Sequence, residues 1–132
     1  MVTNNNQHAR RKLLIGTLAG MLFAAAAPGA NAHAKIAQAE PKPQSELSAS
    51  PKEIRLRYNE ALEPAFSKIE LVDAGQKLVA LPKAKVDSAE PAVMHVALPA
   101  LKPGAYRVRW AAMTHDGHKV KGEYSFTVSA AR

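Results

Sequence analysis

The chain has 132 residues, with 18 lysines and arginines against 11 acidic residues, which gives a formal net charge of +7 at pH 7. It has no cysteine, which excludes disulfide bonds, thiolate metal sites and cysteine nucleophiles. The first 32 residues carry three of the basic residues and none of the acidic ones, so the remainder has a net charge of +4. Because these remaining charges are scattered and form no basic cluster, we expect no nucleic-acid binding.

The N-terminal segment, residues 1–32, has the pattern of a secretory signal peptide. A basic stretch at 10–12 precedes an apolar run at 13–27, and a Pro-Gly pair breaks that run before Ala30-Asn31-Ala32. Signal peptidases cut after small residues at this A-x-A spacing, so we expect an exported, periplasmic chain that begins with His33. The twin arginines of the basic stretch leave Sec and twin-arginine export both open. An uncleaved anchor is the less favoured alternative, because the apolar run is shorter than the about 20 residues of a membrane span.

The mature chain, residues 33–132, has the pattern of one small domain built from short strands. Apolar and polar residues alternate in several runs, as they do in strands that bury one face. The predicted strands are 34–39, 54–58, 66–71, 78–81, 94–98, 106–110 and 124–128, with polar connections between them at 41–51 and 82–91. Since no mature segment has a long helical period, we expect an all-β fold, a small antiparallel Greek-key β-sandwich or barrel of the Ig-like kind. Its core is expected to rest on Tyr58, Leu71, Val108, Trp110 and Phe126.

Groups able to bind a metal occur at the start of the mature chain and in one later triplet. An N-terminal His33 offers an α-amine and an imidazole, and Asp116-Gly117-His118 offers a carboxylate and a second imidazole. Four nitrogen and oxygen donors of this kind suit the tetragonal geometry of Cu(II). In an extended segment, Asp116 and His118 would point to the same side. The simpler interpretation of a lone D-G-H triplet is turn chemistry, in which the Asp accepts backbone hydrogen bonds.

The remaining mature histidines and methionines are expected to have structural roles. His95 alternates within a strand as a surface or packing residue, and His115 points away from Asp116 if that segment is extended. Met94 and Met113 are expected to pack in the core. No serine stands near a base in the pattern of a hydrolase, so no catalytic residue is predicted.

Ordered motifs along the mature chain are similar to those of a known protein family. They are His33-Ala34-Lys35, Leu56-Arg57-Tyr58-Asn59-Glu60, Phe66-Ser67-Lys68-Ile69-Glu70-Leu71, the run 103–110, Asp116-Gly117-His118 and the run 122–128. Together they span nearly all of the mature chain, which resembles the CopC family of periplasmic copper-binding proteins. The resemblance implies a small Greek-key β-barrel or sandwich with one Cu(II) held by His33, Asp116 and His118. It also implies that Glu60 is an acidic residue beside these ligands rather than a ligand.

The resemblance predicts a periplasmic Cu(II)-binding protein, not an enzyme, that sequesters or carries copper for resistance, homeostasis and transport. Its expected partners are the copper ion and an inner-membrane copper transport protein, and the domain is expected to be a monomer. Some family members carry a Cu(I) site in a methionine-rich loop, but the corresponding stretch, 72–79, has no methionine, and soft Cu(I) prefers thioether or thiolate ligands. Two alternatives stay open: a histidine-brace copper oxygenase and an Ig-like periplasmic interaction domain without a metal.

Overall fold

The computed structural model describes residues 35–130, so the predicted signal peptide and His33 lie outside the described residues. Residues 35–130 form nine strands: β1 (Ile36–Glu40), β2 (Glu46–Leu47), β3 (Glu53–Tyr58), β4 (Lys68–Val72), β5 (Leu78–Val79), β6 (Lys85–Val86), β7 (Val93–Ala97), β8 (Gly104–Met113) and β9 (Lys119–Val128). A 3₁₀ turn, Pro64–Phe66, stands between β3 and β4. Within this part of the chain, no helix is long and apolar enough to cross a membrane.

The strands are arranged in two sheets that share one core. The first sheet has the order β1-β3-β7-β6 and the second the order β2-β9-β8-β4-β5. All neighbours are antiparallel except β2, which runs parallel to β9. Pairs such as β3 with β7 and β4 with β8 join strands that are distant in sequence. The predicted fold class, a Greek-key β-sandwich, is confirmed, although the sheets are not purely antiparallel.

Side-chain alternation places one face of each sheet in the shared core. Tyr58 of the first sheet and Leu71, Val108 and Phe126 of the second are all buried, as predicted. Trp110 is only partly buried and packs against the margin of the core. The Tyr58 ring meets the Trp110 ring edge to face, with the centroids 5.4 Å apart. Contacts of this kind tie the two sheets together without a disulfide.

Three details differ from the predictions made from the sequence. The strand predicted at 66–71 begins at Lys68, because Pro64 opens a 3₁₀ turn that leaves Phe66 57% exposed. The polar connections contain the two-residue strands β2 and β6, which pair with β9 and β7. Strands this short present too few side chains for an alternating pattern. The predicted strands 106–110 and 124–128 are parts of ten-residue strands, β8 and β9.

The β8–β9 hairpin carries the D-G-H triplet at its tip. Its two strands pair without interruption from Gly104 with Val128 to Met113 with Lys119. One further bridge, between Leu62 and Thr114, attaches the tip to the connection that follows β3. The triplet is therefore carried by a long, regular hairpin, and the bridge between Leu62 and Thr114 fixes the hairpin at its tip.

We expect the domain to fold without a bound metal, because its core stabilises it. Leu71→Ala should lower the free energy of unfolding by about 2–5 kcal/mol, because Leu71 is fully buried and its truncation leaves a cavity. Leu78→Ala is the matched control, since Leu78 is 64% exposed on the neighbouring strand, and its effect should stay below about 0.5 kcal/mol. Urea unfolding of both variants with a chelator present measures this. Equal losses, or an unfolded parent domain, would contradict it.

Candidate metal centre

The D-G-H triplet lies in a tight turn, Thr114 to His118, that closes the β8–β9 hairpin. The Thr114 N–H donates to the His118 carbonyl oxygen at 3.0 Å, and the Gly117 N–H donates to the Thr114 carbonyl oxygen at 2.9 Å. Gly117 has φ = +88°, in the left-handed region that a residue with a side chain adopts only with strain. The backbone therefore fixes the relative positions of the residues on either side of Gly117.

The side chains of Asp116 and His118 are brought together by this turn. His118 Nδ1 lies 2.8 Å from Asp116 Oδ2, and the two side chains are 55% and 56% exposed. The sequence argument placed them on the same side of an extended segment, and that premise is wrong, because the segment is a turn. Their proximity comes from the turn geometry instead, which leaves a nitrogen and an oxygen donor side by side and open to solvent.

Asp116 is held in its ionised form by neighbouring donors. The Thr114 hydroxyl donates a short hydrogen bond to Asp116 Oδ1, and the His118 ring bonds to the other carboxylate oxygen. These two hydrogen bonds, in that order of importance, lower the pKa of Asp116 to about 2. Thr114 is itself buried, so its hydroxyl is a fixed donor. The carboxylate is thus charged and oriented before any metal arrives.

His115, between Thr114 and Asp116, faces away from the pair. Its Nε2 lies 3.1 Å from the Leu62 carbonyl oxygen, to which the ring N–H donates. The Glu63 N–H donates to the Met113 carbonyl oxygen at 2.7 Å in the same region. Both bonds, together with the bridge between Leu62 and Thr114, attach the turn to the connection after β3. His115 therefore anchors the turn and stands apart from the donor pair.

The other candidate residues are dispersed. His95 lies in β7, in the first sheet, opposite Arg55 and Lys85. Met94 is fully buried in that strand, and Met113 is partly buried at the end of β8. Glu60 is half-buried in the connection after β3.

Tyrosines do not add to the donor set. Burial raises the pKa of Tyr58 and of Tyr124, so neither phenol ionises to a metal-binding phenolate near neutral pH. Within residues 35–130, no group of three histidine, cysteine or acidic side chains is close enough to hold a metal. The described donors are therefore the pair Asp116 and His118, and the third predicted ligand, His33, lies outside the described residues.

Two supporting residues were missed in the sequence. Thr114 holds Asp116, and Asn59 holds the start of the described chain, since its Oδ1 accepts the Lys35 N–H at 2.8 Å. Thr114 gave a usable signal, because a hydroxyl two residues before an Asp in a turn is a common local donor. Asn59 gave none, because its partner is 24 residues away.

Thr114→Val should raise the pKa of Asp116 from about 2 towards the reference value of about 3.9, because the lost hydroxyl stabilised the ionised carboxylate. Thr114→Ser keeps a hydroxyl and should keep the low pKa. Since the folded pKa of Asp116 lies below its unfolded value, its contribution to stability is present above about pH 4 and is lost as the pH falls towards 2. Carbon-13 NMR titration of the metal-free domain measures the pKa. A Val variant that titrates like the parent would contradict this account.

Comparisons with known proteins identify the family of the chain. The model of the CopC domain matches residues 36–129. The chain is 36% identical over 119 residues to copper resistance protein C of Escherichia coli, covering 84% of this chain and 93% of that protein. It is 31% identical over 101 residues to copper transport protein CutJ of Bacillus subtilis, covering 76% of this chain but 19% of that longer protein. The crystal structure of CopC from Methylosinus trichosporium OB3b superposes with a TM-score of 0.70 at 36% identity, covering 74% of this chain and 94% of that one. The chain therefore belongs to the CopC family, and its function is related to copper.

Proposed function

We propose that this protein binds one Cu(II) per chain in the periplasm and sequesters or carries it, without catalysing a reaction. The proposed ligands are the α-amine and imidazole of His33, the carboxylate of Asp116 and the imidazole of His118. This set contains three nitrogens and one oxygen, which suits a tetragonal Cu(II) centre.

The separation of Asp116 and His118 is the observation that supports the proposal most directly. Two ligand atoms bound to one metal at about 2.0 Å and at right angles are about 2.8 Å apart. Asp116 Oδ2 and His118 Nδ1 are 2.8 Å apart. In the metal-free domain the His118 ring N–H donates to the Asp116 carboxylate. Cu(II) binding would replace this hydrogen bond with a bond from each atom to the metal, and the Nδ1 proton would be lost to solvent or move to Nε2. The pair therefore needs little rearrangement to become one edge of a square of ligands.

The position of Lys35 supports the participation of His33. Residue 33 precedes Lys35 by two positions, a span of at most about 7 Å. Lys35 is bonded to Asn59, and Leu62, three residues later, bridges to Thr114 beside the donor pair. A mature chain that begins at His33 would thus begin close to Asp116 and His118. Glu60 lies between Asn59 and Leu62, and we assign it to the surroundings of the metal rather than to its ligands.

The chain offers poor ligands for Cu(I). Soft Cu(I) prefers thioethers, yet Met94 is fully buried in β7, and the sequence 72–79 has no methionine. A site for Cu(II) alone agrees with the hard carboxylate and borderline imidazole donors at the hairpin tip.

We favour a carrier over a histidine-brace oxygenase. An oxygenase needs an open position next to the metal, whereas the ionised Asp116 completes the equatorial set beside His33 and His118. We further propose that the domain acts as a monomer and exchanges copper with an inner-membrane copper transport protein. CutJ supports that partner, since it is a copper transport protein in which the match to this chain covers about one fifth of the length.

Processing should expose the amine ligand. We expect the exported protein to begin at His33, because cleavage after Ala32 follows the A-x-A pattern. Mass spectrometry of the mature protein tests this directly. A start at any other residue would remove the α-amine of His33 from the ligand set, and the proposed centre with it.

Copper titration of the mature domain tests the ligands. We expect one Cu(II) per chain, with an electron paramagnetic resonance spectrum typical of a tetragonal centre. His118→Ala, Asp116→Ala and a one-residue extension before His33 should each weaken binding by at least about 100-fold, because each removes a ligand, and loss of supporting residues alone costs 10–100-fold. His95→Ala is the matched control, since His95 lies in the other sheet, and it should bind like the parent. Undiminished binding by His118→Ala would refute the assignment.

A further inference from the structure

We infer that Asn59 is a positioning residue for the copper site, because its side chain holds Lys35, two residues after the proposed ligand His33. This inference rests on the proposed function. It concerns a residue that is no ligand and that acts through the backbone of Lys35.

The first observation is a side-chain bond where strand pairing ends. β1 pairs with β3 from Glu40 with Arg55 to Ile36 with Tyr58, and the register shifts between Ile36 and Gln38. An irregularity of this kind bends and twists a strand. Just beyond it, the Lys35 N–H donates to Asn59 Oδ1 at 2.8 Å, while the Asn59 N–H donates to the Lys35 carbonyl oxygen at 3.1 Å. The Asn59 side chain thus holds Lys35, which lies one residue before the last β1–β3 pair.

The second observation is that the same connection holds the donor pair. Leu62 forms a bridge with Thr114, and its carbonyl oxygen accepts from His115 Nε2 at 3.1 Å. The connection is itself fixed to the first sheet, since the Tyr58 N–H and the Leu62 N–H donate to the carbonyl oxygens of Ala92 and Pro91, each at 2.8 Å. Residues 59–62 therefore form a short, doubly anchored segment, here called the bridging segment. It contacts the start of the described chain at Asn59 and the D-G-H turn at Leu62.

These contacts have a consequence for binding. Asp116 and His118 are fixed by their turn, but an N-terminal amine is ordered only if the residues after it are attached. A terminal residue that is free to move loses conformational entropy when it binds a metal. When Lys35 is held in place, His33, two residues earlier, loses less conformational entropy on binding. Asn59 should therefore strengthen binding by preorganisation, without touching the metal.

Asn59→Ala tests this inference in the full mature chain. Cu(II) affinity should fall about tenfold, in the range seen for residues that orient ligands, while Asn59→Asp, which keeps an acceptor oxygen, should restore most of the affinity. In the metal-free protein, amide hydrogen exchange at Lys35 should accelerate in the Ala variant, with β8 and β9 unchanged. Gln38→Ala is the matched control, an exposed amide on β1, and should leave both measurements unaltered.

A double-mutant cycle separates positioning from general destabilisation. In a His33→Ala chain extended by one residue, both the terminal amine and the imidazole of residue 33 are lost, so Asn59→Ala should have no further effect on residual copper binding. Two results would overturn the role of Asn59. One is an equal loss of affinity in both backgrounds, and the other is an Asn59→Ala variant that binds Cu(II) as tightly as a parent that binds it. A parent that fails to bind Cu(II) would instead refute the proposed function, so the two failures are distinguishable.

Discussion

The sandwich is organised around the uninterrupted pairing of β8 with β9. Ten residue pairs run from Gly104 with Val128 to Met113 with Lys119, and their inner face supplies Val108 and Phe126 to the core. A hairpin of this regularity delivers its turn to a fixed place. The D-G-H turn is therefore built at the end of the longest strand pair of the described sandwich, and its donors lie past the last pair.

The D-G-H turn is solvent-exposed, yet it is attached to the rest of the sandwich by groups other than its two donor side chains. Thr114 is buried and pairs with Leu62, and His115 bonds to the Leu62 carbonyl oxygen. The side chains of Asp116 and His118 are themselves more than half exposed. A carrier must bind its ion tightly and still release it to a partner. For the carrier proposed above, an exposed pair supported by buried neighbours would meet both requirements, since the ion could be approached while the proposed ligands keep their geometry.

The sequence predicted the fold well because the determining signals are local. Alternating residues in β3, β7, β8 and β9 mark their buried faces, and the predicted core residue Leu71 is fully buried. The two-residue strands β2 and β6 escaped prediction, since backbone pairing of so few residues leaves no periodicity. The position of Phe66 outside β4 was not predicted either, because Pro64 starts a 3₁₀ turn inside an apparently alternating run.

The candidate site could be predicted only in part. Asp116 and His118 were identified by their spacing, yet the reason given was an extended segment, whereas the structure has a turn around Gly117 with positive φ. The support from Asn59 and Leu62 was invisible, since it joins residues 24 and 53 positions apart. His33 stays a prediction, because it lies outside the described residues.

The electrostatics of the metal-free turn explain how a cationic domain can present a binding site for another cation. Lys119 follows His118 directly, but its ammonium lies 5.7 Å from the centroid of the exposed Phe66 ring, an attractive arrangement for a cation above an aromatic face. Asp116 keeps its negative charge down to about pH 2 through the bond from Thr114. The local charge at the proposed ligands is therefore set by one carboxylate and its donors, and the neighbouring Lys119 ammonium lies over the Phe66 ring. Copper bound as proposed would pair the Asp116 carboxylate with a cation where the metal-free turn pairs it with hydrogen-bond donors from Thr114 and His118.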